Sequence, residues 1–372
     1  MKATLERQTL LKSLSHVHRV VERRNTIPIL SNVLIKAEGS QVDLKATDLD
    51  LEIVDSAEAM VERGGATTVP AHLLYEIVRK LPDGTQVVLD APADGAQMSL
   101  SAGRASFALQ MLPESDFPDI TAGTFSHTFE LSGANLKRLI DRTQFAISNE
   151  ETRYYLNGIY FHTVEQGADM NLRAVATDGH RLAQAEMKAP VGAESIPGVI
   201  VPRKAVGEIQ RLLEEPDQNV KVELSDSKVR LTVGPVILTS KLIDGTFPDY
   251  ERVIPRGNDK ELQVDRDVFK EAVDRVSTVS SERGRAVKLT LSDGHMVLMV
   301  NNPDSGSATE ELAVEYGAGD LDIGFNSRYL LDITNQLEAD TATFLLADPG
   351  SPTLIRDPGD EHALYVLMPM RV

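Results

Sequence analysis

The sequence predicts an α+β protein in which one domain of about 120 residues occurs three times. The first observation is a strand end that runs into an amphipathic helix, and this pattern appears three times. It reads VPAHLLYEIVRKL from Val69, VPRKAVGEIQRLL from Val201 and FNSRYLLDITNQL from Phe325. Two helices and about eight strands in each copy are typical of helices packed on antiparallel sheets.

Two further landmarks recur in the same order. Ala-Thr-Asp at 46–48 returns at 176–178, with Val-Asn-Asn at 300–302, and Phe-Pro-Asp at 117–119 returns at 247–249. The three offsets from the first copy to the second are 132, 130 and 130 residues, and both offsets to the third copy are 124. Repeats of this length are whole domains rather than units of a solenoid.

The domain boundaries follow from two short polar connectors at 121–127 and 255–260. We expect domains at 1–122, 126–254 and 259–372, each long enough to bury its own core. Neither connector is a long flexible linker, so the domains should be held in fixed positions.

Each predicted domain begins with an amphipathic helix and contains a second one near its middle. The six helix windows are 6–24, 71–81, 133–147, 203–215, 266–283 and 327–339. Ser132 directly precedes the third window and is a plausible N-cap. Strands are indicated by alternating apolar residues, such as Val42, Leu44 and Ala46, and Asp293-Gly294 indicates a hairpin turn.

Composition excludes several protein classes. The 372 residues include no cysteine, so disulfides, thiolate chemistry and cysteine zinc sites are ruled out. The N-terminus MKATLERQTLLKSL has no apolar core like that of a secretory signal, and no apolar run approaches the roughly 18 residues of a membrane span. We therefore expect a cytoplasmic protein.

Charge is distributed unevenly along the chain. The six helix windows carry 18 basic and 13 acidic residues, a net charge of +5. Because the whole chain has a net charge of −18, the residues outside these windows carry −23. A basic helical side on an acidic body would attract a polyanion to one surface only. The alternative is that these charges are a solvated polar helix face. The basic residues are Lys12, Arg19, Arg23, Arg24, Arg79, Lys80, Lys137, Arg138, Arg142, Arg203 and Lys204.

Motifs for catalysis are weak. Asp178 and His180 could form an acid–base or metal-binding pair of a hydrolase, but Asp-Gly-His returns at 293–295, where it fits a turn. The third copy has asparagine at the place of Asp48, which favours a structural role for this aspartate. The sequence has no zinc-protease, phosphate-loop or dinucleotide motif. We expect no enzymatic activity, no metal and no cofactor.

A further hypothesis, besides the hydrolase, is a three-domain scaffold that binds peptides but not DNA.

Five segments, taken together, identify a known family. They are RYYLNG (153–158), VATDGHRLA (175–183), VIVPRK (199–204), TSKLIDGTFPDY (239–250) and YVLMPMRV (365–372). On these segments the whole chain resembles the bacterial sliding clamp family, the β subunit of DNA polymerase III. The resemblance implies a processivity factor, a head-to-tail homodimer whose six domains form a ring around duplex DNA and tether the replicative polymerase.

The resemblance also implies a dimer interface between the first domain of one chain and the third of the other. The expected residues are Arg104, Phe107 and Leu109 against Thr278, Val279, Glu310 and Glu311. Thr278 departs from the family, which often has a larger apolar residue there, and this puts the strength of the interface in question.

A sliding protein should avoid contacts with base edges, because these would hold it at particular sequences. Contacts from Lys and Arg to phosphate carry no sequence information and permit movement along the duplex. The expected DNA contacts are Arg24, Arg79, Lys80, Arg138, Tyr154, Tyr155, Arg203 and Lys204. For the two tyrosines, core packing is the alternative.

The resemblance further implies a pocket between the second and third domains for a short motif of glutamine and bulky apolar residues. Replicative and repair polymerases, the clamp loader and ligase would carry this motif. Methionines suit a site that accepts many ligands, and arginines could anchor ligand carbonyls at the rim. The alternative for the terminal Met-Pro-Met is ordinary strand packing. The expected lining residues are Arg153, Leu156, Thr177, Gly179, His180, Arg181, Leu182, Pro248, Arg252, Val253, Asn326, Tyr329, Val366, Met368, Pro369, Met370 and Arg371.

Overall fold

The computed structural model describes residues 1–120, 123–214, 218–280 and 285–372. These residues form two compact units. Unit 1 contains Met1–Ala134 and Gly207–Leu242, and unit 2 contains Asn135–Val206 and Ile243–Val372. Each unit combines parts of neighbouring repeats. The predicted domain end at residue 122 lies outside the described residues, and the predicted boundaries remain predictions.

The helices begin where the repeats predict and end earlier than predicted. They are α1 (Arg7–Val17), α2 (Ala71–Lys80), α3 (Gly133–Thr143), α4 (Arg203–Leu212), α5 (Arg266–Ser277) and α6 (Ser327–Thr334). None of the helices in the described ranges is long and apolar enough to cross a membrane.

The first helix shows why its window was too long. His18 closes α1, with its backbone N–H and its ring both directed at the carbonyl of Leu14. Val20 and Val21 continue the apolar spacing and are buried, but they lie in the turn that follows. The end of the window 203–215 and residues 281–283 of the window 266–283 lie in stretches that the structure does not describe.

The strands of the first repeat are β1 (Lys2–Glu6), β2 (Asn32–Glu38), β3 (Gln41–Thr47), β4 (Leu51–Glu58), β5 (Met60–Arg63), β6 (Gly65–Pro70), β7 (Gln86–Asp90), β8 (Gln97–Ala102) and β9 (Ala105–Gln110). Those of the second are β10 (His127–Ser132), β11 (Gly158–Gln166), β12 (Asp169–Thr177), β13 (Arg181–Lys188), β14 (Val199–Pro202), β15 (Asn219–Leu224), β16 (Lys228–Val233) and β17 (Val236–Lys241). Those of the third are β18 (Lys260–Asp265), β19 (Ala286–Ser292), β20 (His295–Asn302), β21 (Gly306–Ala313), β22 (Glu315–Tyr316), β23 (Leu321–Asn326), β24 (Thr341–Leu346), β25 (Thr353–Asp357) and β26 (Asp360–Leu367).

The predicted strand-to-helix landmarks are confirmed in all three repeats. Strands β6, β14 and β23 end at Pro70, Pro202 and Asn326, and a helix begins at the next residue in each case. The predicted hairpin is also present, since Ser292 pairs with His295 across the two-residue turn and Gly294 has a positive φ of 71°. This φ suits glycine, which has no Cβ to clash with the backbone.

The sheets join neighbouring repeats through backbone pairing. In unit 1 an eight-stranded sheet has the order β10-β15-β16-β17-β4-β3-β2-β6, so β17 of the second repeat pairs with β4 of the first. In unit 2 a nine-stranded sheet contains the neighbours β13 and β26, from the second and third repeats. Each junction therefore lies between a strand from the middle of one repeat and the last strand of the next.

Each of the two other sheets has, at one edge, a strand equivalent to those that form the junctions. Among the described residues, this edge strand has no partner from a neighbouring repeat. The order in unit 1 is β5-β1-β7-β8-β9, and the order in unit 2 is β21-β20-β19-β23. Strand β9 is the last strand of its repeat, like β17 and β26. Strand β21 follows the Asn301-Asn302 landmark, as β4 and β13 follow theirs. Most side chains on β9 and β21 are exposed.

A buried tyrosine in unit 2 offers a test of the packing. Tyr365 is fully buried and its hydroxyl has no hydrogen-bond partner within the described structure, whereas the buried Tyr316 hydroxyl donates to Gly319 O at 2.7 Å. Burial raises the pKa of Tyr365, so the hydroxyl stays neutral.

We expect Tyr365→Phe to leave the free energy of unfolding unchanged or to raise it by about 1 kcal/mol, because it removes an unsatisfied buried group. Tyr316→Phe, the matched control, should lower that free energy by about 1 kcal/mol. Urea denaturation followed by circular dichroism measures both. A loss of stability in Tyr365→Phe equal to that of the control would show that the Tyr365 hydroxyl is in fact paired.

Candidate functional site

The turn at 177–181, between β12 and β13, is built by two side chains that bond back to the backbone. Thr177 Oγ1 donates to Arg181 O at 2.7 Å and accepts from Gly179 N at 3.1 Å. Asp178 Oδ1 accepts from the N–H groups of His180 and Arg181 at 2.9 and 3.0 Å. Such local bonds are the usual reason for Asp and Thr in turns.

This geometry argues against the hydrolase hypothesis. The Asp178 carboxylate is used by the turn and by Arg181, whose Nε lies 3.1 Å from Oδ2. The His180 ring is exposed and stacks against Tyr329, with 6.3 Å between ring centroids. Within the described ranges no group of three or more His, Cys, Asp or Glu residues could hold a metal ion.

The first repeat contains the same turn. Thr47 Oγ1 donates to Leu51 O at 2.9 Å and accepts from Leu49 N at 3.0 Å. Asp48 Oδ1 accepts from the N–H groups of Asp50 and Leu51 at 3.0 and 2.7 Å. Leu49 takes the place of Gly179, and their φ angles are 80° and 87°. The repeated Ala-Thr-Asp landmark is therefore a turn-forming motif.

Arg181 does not lie at the rim, where we expected it to anchor a ligand. Its side chain is 8% exposed, and Nη1 contacts Asp332 at 2.6 Å while Nη2 donates to Phe145 O at 2.7 Å. The guanidinium also lies 4.3 Å from the centre of the Tyr329 ring, a cation–π distance. Arg181 is thus a buried contact between the turn and the Tyr329 ring.

Arg153 does lie near the surface, in the 3₁₀ segment Glu151–Leu156. It donates to both carboxylate oxygens of Glu150, at 2.6 and 2.8 Å, and this hydrogen bonding lowers the pKa of Glu150. A Cβ added to Gly179 would lie 2.4 Å from Arg153 Nη1. Glycine at 179 therefore lets the guanidinium pass close over the turn.

The apolar residues expected to line the pocket divide into a buried floor and an exposed edge. Leu156, Leu182 and Val366 belong to one buried cluster with Phe247 and Tyr250. Tyr329, on α6, is half-buried, which raises its pKa, and its ring contacts the Arg181 guanidinium. The N-terminus of α6 is capped by the side chain of Asn326. The exposed edge comes from Pro248, Arg252, Val253 and Met368.

The chain terminus lies across the same face. Met368 N donates to His180 O at 2.9 Å, and Met370 N donates to Gly324 O at 2.8 Å. Met368 is 37% exposed, Pro369 and Met370 are half-buried, and Arg371 is exposed. The backbone of this segment therefore continues the strand β26, while the Met368 side chain remains accessible.

The sequence analysis did not identify Glu150 and Asp332, the acidic partners of Arg153 and Arg181. Glu150 could have been found from its spacing of three residues before Arg153.

In unit 1 the basic residues expected to contact DNA are exposed. Arg24 is exposed, and Arg79 and Lys80 lie in the last turn of α2. Arg79 pairs with Glu76 on the same helix at 2.8 Å. An exposed pair of this kind is weak and can exchange for a phosphate contact.

In unit 2 the expected DNA residues differ in accessibility. Tyr154 is 53% exposed, whereas Tyr155 is half-buried against the apolar cluster, as the core-packing alternative held. Arg203 is exposed at the start of α4 and donates to the carbonyls of Ile147 and Ser148, and Lys204 is half-buried.

Arg138, another residue expected to contact DNA, is held by acceptors within unit 2. Its Nη1 lies 3.1 Å from Asp360 Oδ2, and its Nη2 donates to Glu186 O at 2.5 Å. Arg142, one turn later on α3, is buried and pairs with Glu338 and Asp360. Both arginines of α3 are thus engaged within unit 2, because its acidic side chains reach them.

The residues expected at the dimer interface lie on the two sheet edges described above or beside them. Arg104 and Phe107 are exposed at β9, whereas the Leu109 side chain is 1% exposed and packs inward. Glu310 on β21 pairs with Arg275, and Glu311 lies 3.2 Å from His295. Thr278 is exposed and Val279 half-buried, directly after α5.

We expect Gly179→Ala to weaken binding of a motif peptide about tenfold, which corresponds to about 1.4 kcal/mol. The new Cβ would displace Arg153, while the turn itself should persist because Leu49 holds the same conformation in the first repeat. Fluorescence anisotropy with a labelled peptide measures the affinity. Gly234→Ala is the matched control, since Gly234 also has a positive φ but open space around it. Equal affinity losses in both variants would contradict this role of Arg153.

Comparison with known proteins gives one consistent result. Family models of the DNA polymerase III beta subunit match residues 1–121 as its N-terminal domain, 130–249 as its central domain and 251–371 as its C-terminal domain. The curated relatives include the beta sliding clamps of Caulobacter vibrioides, 54% identical over 372 residues, and of Escherichia coli K12, 41% identical over 376 residues. Each alignment covers 100% of both chains.

Solved structures agree over the full length. A sliding clamp from Bartonella birtlesii bound to griselimycin has a TM-score of 0.98 at 60% identity, with 100% of both chains covered. The Caulobacter crescentus pol III beta structure has a TM-score of 0.95 at 54% identity, again with 100% of both chains covered. The resemblance of the five sequence segments is thereby confirmed over the whole chain.

Proposed function

We propose that this chain, which belongs to the DNA polymerase III beta subunit family, encircles duplex DNA as a head-to-tail homodimer and tethers the replicative polymerase. It is a processivity factor, and this role requires no catalysis. Its place of action would be the bacterial cytoplasm, where the chromosome is replicated. Its partners would be duplex DNA of any sequence, a second copy of itself, and proteins that carry the short motif.

The observation that carries this proposal is the pattern of sheet junctions. A middle strand of one repeat pairs with the last strand of the next at β4–β17 and again at β13–β26. The same rule pairs β21 with β9, but these belong to the third and first repeats. Two chains arranged head to tail would complete both missing junctions and close a ring, since a heterologous contact that closes gives cyclic symmetry.

The side chains at these edges are suited to one another. Phe107 is a large apolar residue with 36% exposure on β9, and Arg104, just before this strand, is also exposed. Glu310 and Glu311 on β21 offer the opposite charge. Leu109 would contribute its backbone to the junction rather than its side chain. Exposed strand edges are normally protected or paired, so a partner strand is the expected occupant.

Duplex DNA would be held by weak contacts to phosphate. We infer that Arg24, Arg79, Lys80, Arg203 and Lys204 make these contacts, with Tyr154 beside them. Arg138 and Tyr155, being held within unit 2, would contribute less than the sequence suggested. Weak contacts suffice because a closed ring is retained by topology, and they permit sliding because phosphates are the same at every base pair.

The motif peptide would bind over the floor of Leu156, Leu182 and Val366. Met368 and Tyr329 would enclose its apolar side chains, while Arg153 and the exposed backbone of the turn would contact its polar atoms. Arg181 would act from beneath this surface. An adaptable methionine and an apolar floor can accept many related motifs, as expected for a site shared by several partners.

The proposal is tested by loading the protein on a nicked circular plasmid with a clamp loader and then cutting the circle with a restriction enzyme. We expect the protein to remain on the circle through gel filtration and to leave the linear form within the same time. The reason is that a ring can slide off an end but cannot leave a circle without opening.

Arg24→Glu combined with Arg203→Glu provides the electrostatic comparison. If topology retains the ring, this variant should stay on the circle once loaded, although it should load more slowly at moderate salt. Equal, salt-dependent release of the unmodified protein from circular and linear DNA would contradict the proposal, because binding would then be electrostatic alone.

A further inference from the structure

We propose that unit 1 contains a counterpart of the peptide pocket, and that ion pairs close this counterpart to the motif peptide. Lys45, Asp50, Glu52 and Lys241 are the residues that exclude the peptide. The inference rests on the proposed function, because it concerns the selectivity of the same kind of site.

The two places have the same backbone. Each contains the turn built by a Thr-Asp pair, with its four side-chain-to-backbone bonds. Each turn also receives a strand from the following repeat. Met368 N donates to His180 O at 2.9 Å in unit 2, and Lys241 N donates to Asp50 O at 2.8 Å in unit 1. Lys241 is therefore the counterpart of Met368, and Asp50 is the counterpart of His180.

The counterpart carries two opposite charges at the positions of Met368 and His180. Lys241 Nζ lies 2.9 Å from Asp50 Oδ1, so an ion pair stands where Met368 and His180 stand in unit 2. Leu49 places a side chain at the position of Gly179, over which the Arg153 guanidinium passes in unit 2. A motif of glutamine and apolar side chains has no charge to offer either member of this pair.

The floor differs in the same way. At the offset of 130 residues, Lys45 corresponds to Val175 and Glu52 to Leu182, and the last two belong to the buried cluster under the pocket. Lys45 Nζ lies 3.0 Å from Glu52 Oε2 and 3.3 Å from Asp119 Oδ1. Glu52 is 1% exposed, and burial raises its pKa while Lys45 opposes that rise.

Burying a bulky apolar group against these side chains would separate the ion pairs or remove their remaining water. An unpaired buried charge is far less stable than a paired one, and an apolar ligand supplies no replacement partner. The same backbone therefore gives an apolar pocket in unit 2 and a closed, polar surface in unit 1. The charge pattern, rather than the fold, therefore keeps the peptide out of unit 1.

The first experiment is isothermal titration of the full-length protein with a hexapeptide that begins with glutamine and continues with leucine and phenylalanine. We expect one peptide per chain, and we expect His180→Ala with Met368→Ala to lower the affinity at least tenfold without leaving a second tight site. Two peptides per chain would overturn the inference. Absence of any binding to the unmodified protein would instead count against the proposed function.

The second experiment replaces the ion pairs of the counterpart with the residues of the pocket, in the variant that already carries His180→Ala and Met368→Ala. Lys45→Val and Glu52→Leu copy the floor of the pocket, and Lys241→Met with Asp50→His copy its edge. Replacing both members of an ion pair together is often neutral for stability. We expect peptide binding to return, at least tenfold tighter than in the background, and a folded variant that shows no gain would overturn the inference.

If the four substitutions together prevent folding, the inference is tested with the two substitutions at the exposed ion pair alone. Lys241→Met with Asp50→His changes surface side chains, and we expect a smaller but measurable gain, about threefold, in the same background. The matched control is Lys188→Met with Asp169→His, which removes another exposed ion pair of 2.7 Å that lies elsewhere in the fold. An equal gain in this control, or no gain in the exposed-pair variant, would overturn the inference.

Discussion

Pairing of backbone strands across repeat boundaries is the constraint on which this structure depends. At β4–β17 and β13–β26 the hydrogen bonds of two repeats form one ladder, so neither repeat has a free edge there. Three repeats in one chain form two such junctions, and the edge strands β9 and β21 have no junction partner within the described chain. The need for a second chain thus follows from the number of repeats and from the cost of leaving strand edges open.

The same junctions place the binding surfaces. A turn at the start of a middle strand meets the last strand of the next repeat, so polar backbone groups and apolar side chains of two repeats lie side by side. In unit 2 the buried apolar cluster contains Leu182 of β13 and Val366 of β26, and Arg181 is fixed between Asp178, Asp332 and the Tyr329 ring. Side-chain substitutions on a shared backbone can then give each junction its own function.

Much of the fold could be predicted because it repeats. Landmarks at constant offsets located the turns and the helix starts, whose signals are local. Helix ends were less predictable, since Val20 and Val21 are buried by a turn that keeps the helical spacing of apolar residues. The environments of Arg181, Arg138 and Leu109 depend on strands and helices distant in sequence, so only three-dimensional packing reveals that these side chains are engaged or buried. The family resemblance assigned Arg181 to the pocket and Leu109 to the interface, and the distribution of basic residues assigned Arg138 to the DNA surface.

The central claim is that the edge at β9 joins two chains, and sedimentation equilibrium tests it most directly. The unmodified protein should have about twice the chain mass of 40.7 kDa, and Phe107→Asp should reduce this to the mass of one chain at micromolar concentration. Met60→Asp places the same charge on β5, at the opposite edge of the same sheet, where Met60 is 70% exposed, and it should remain a dimer. One mass shared by all three proteins would contradict the account.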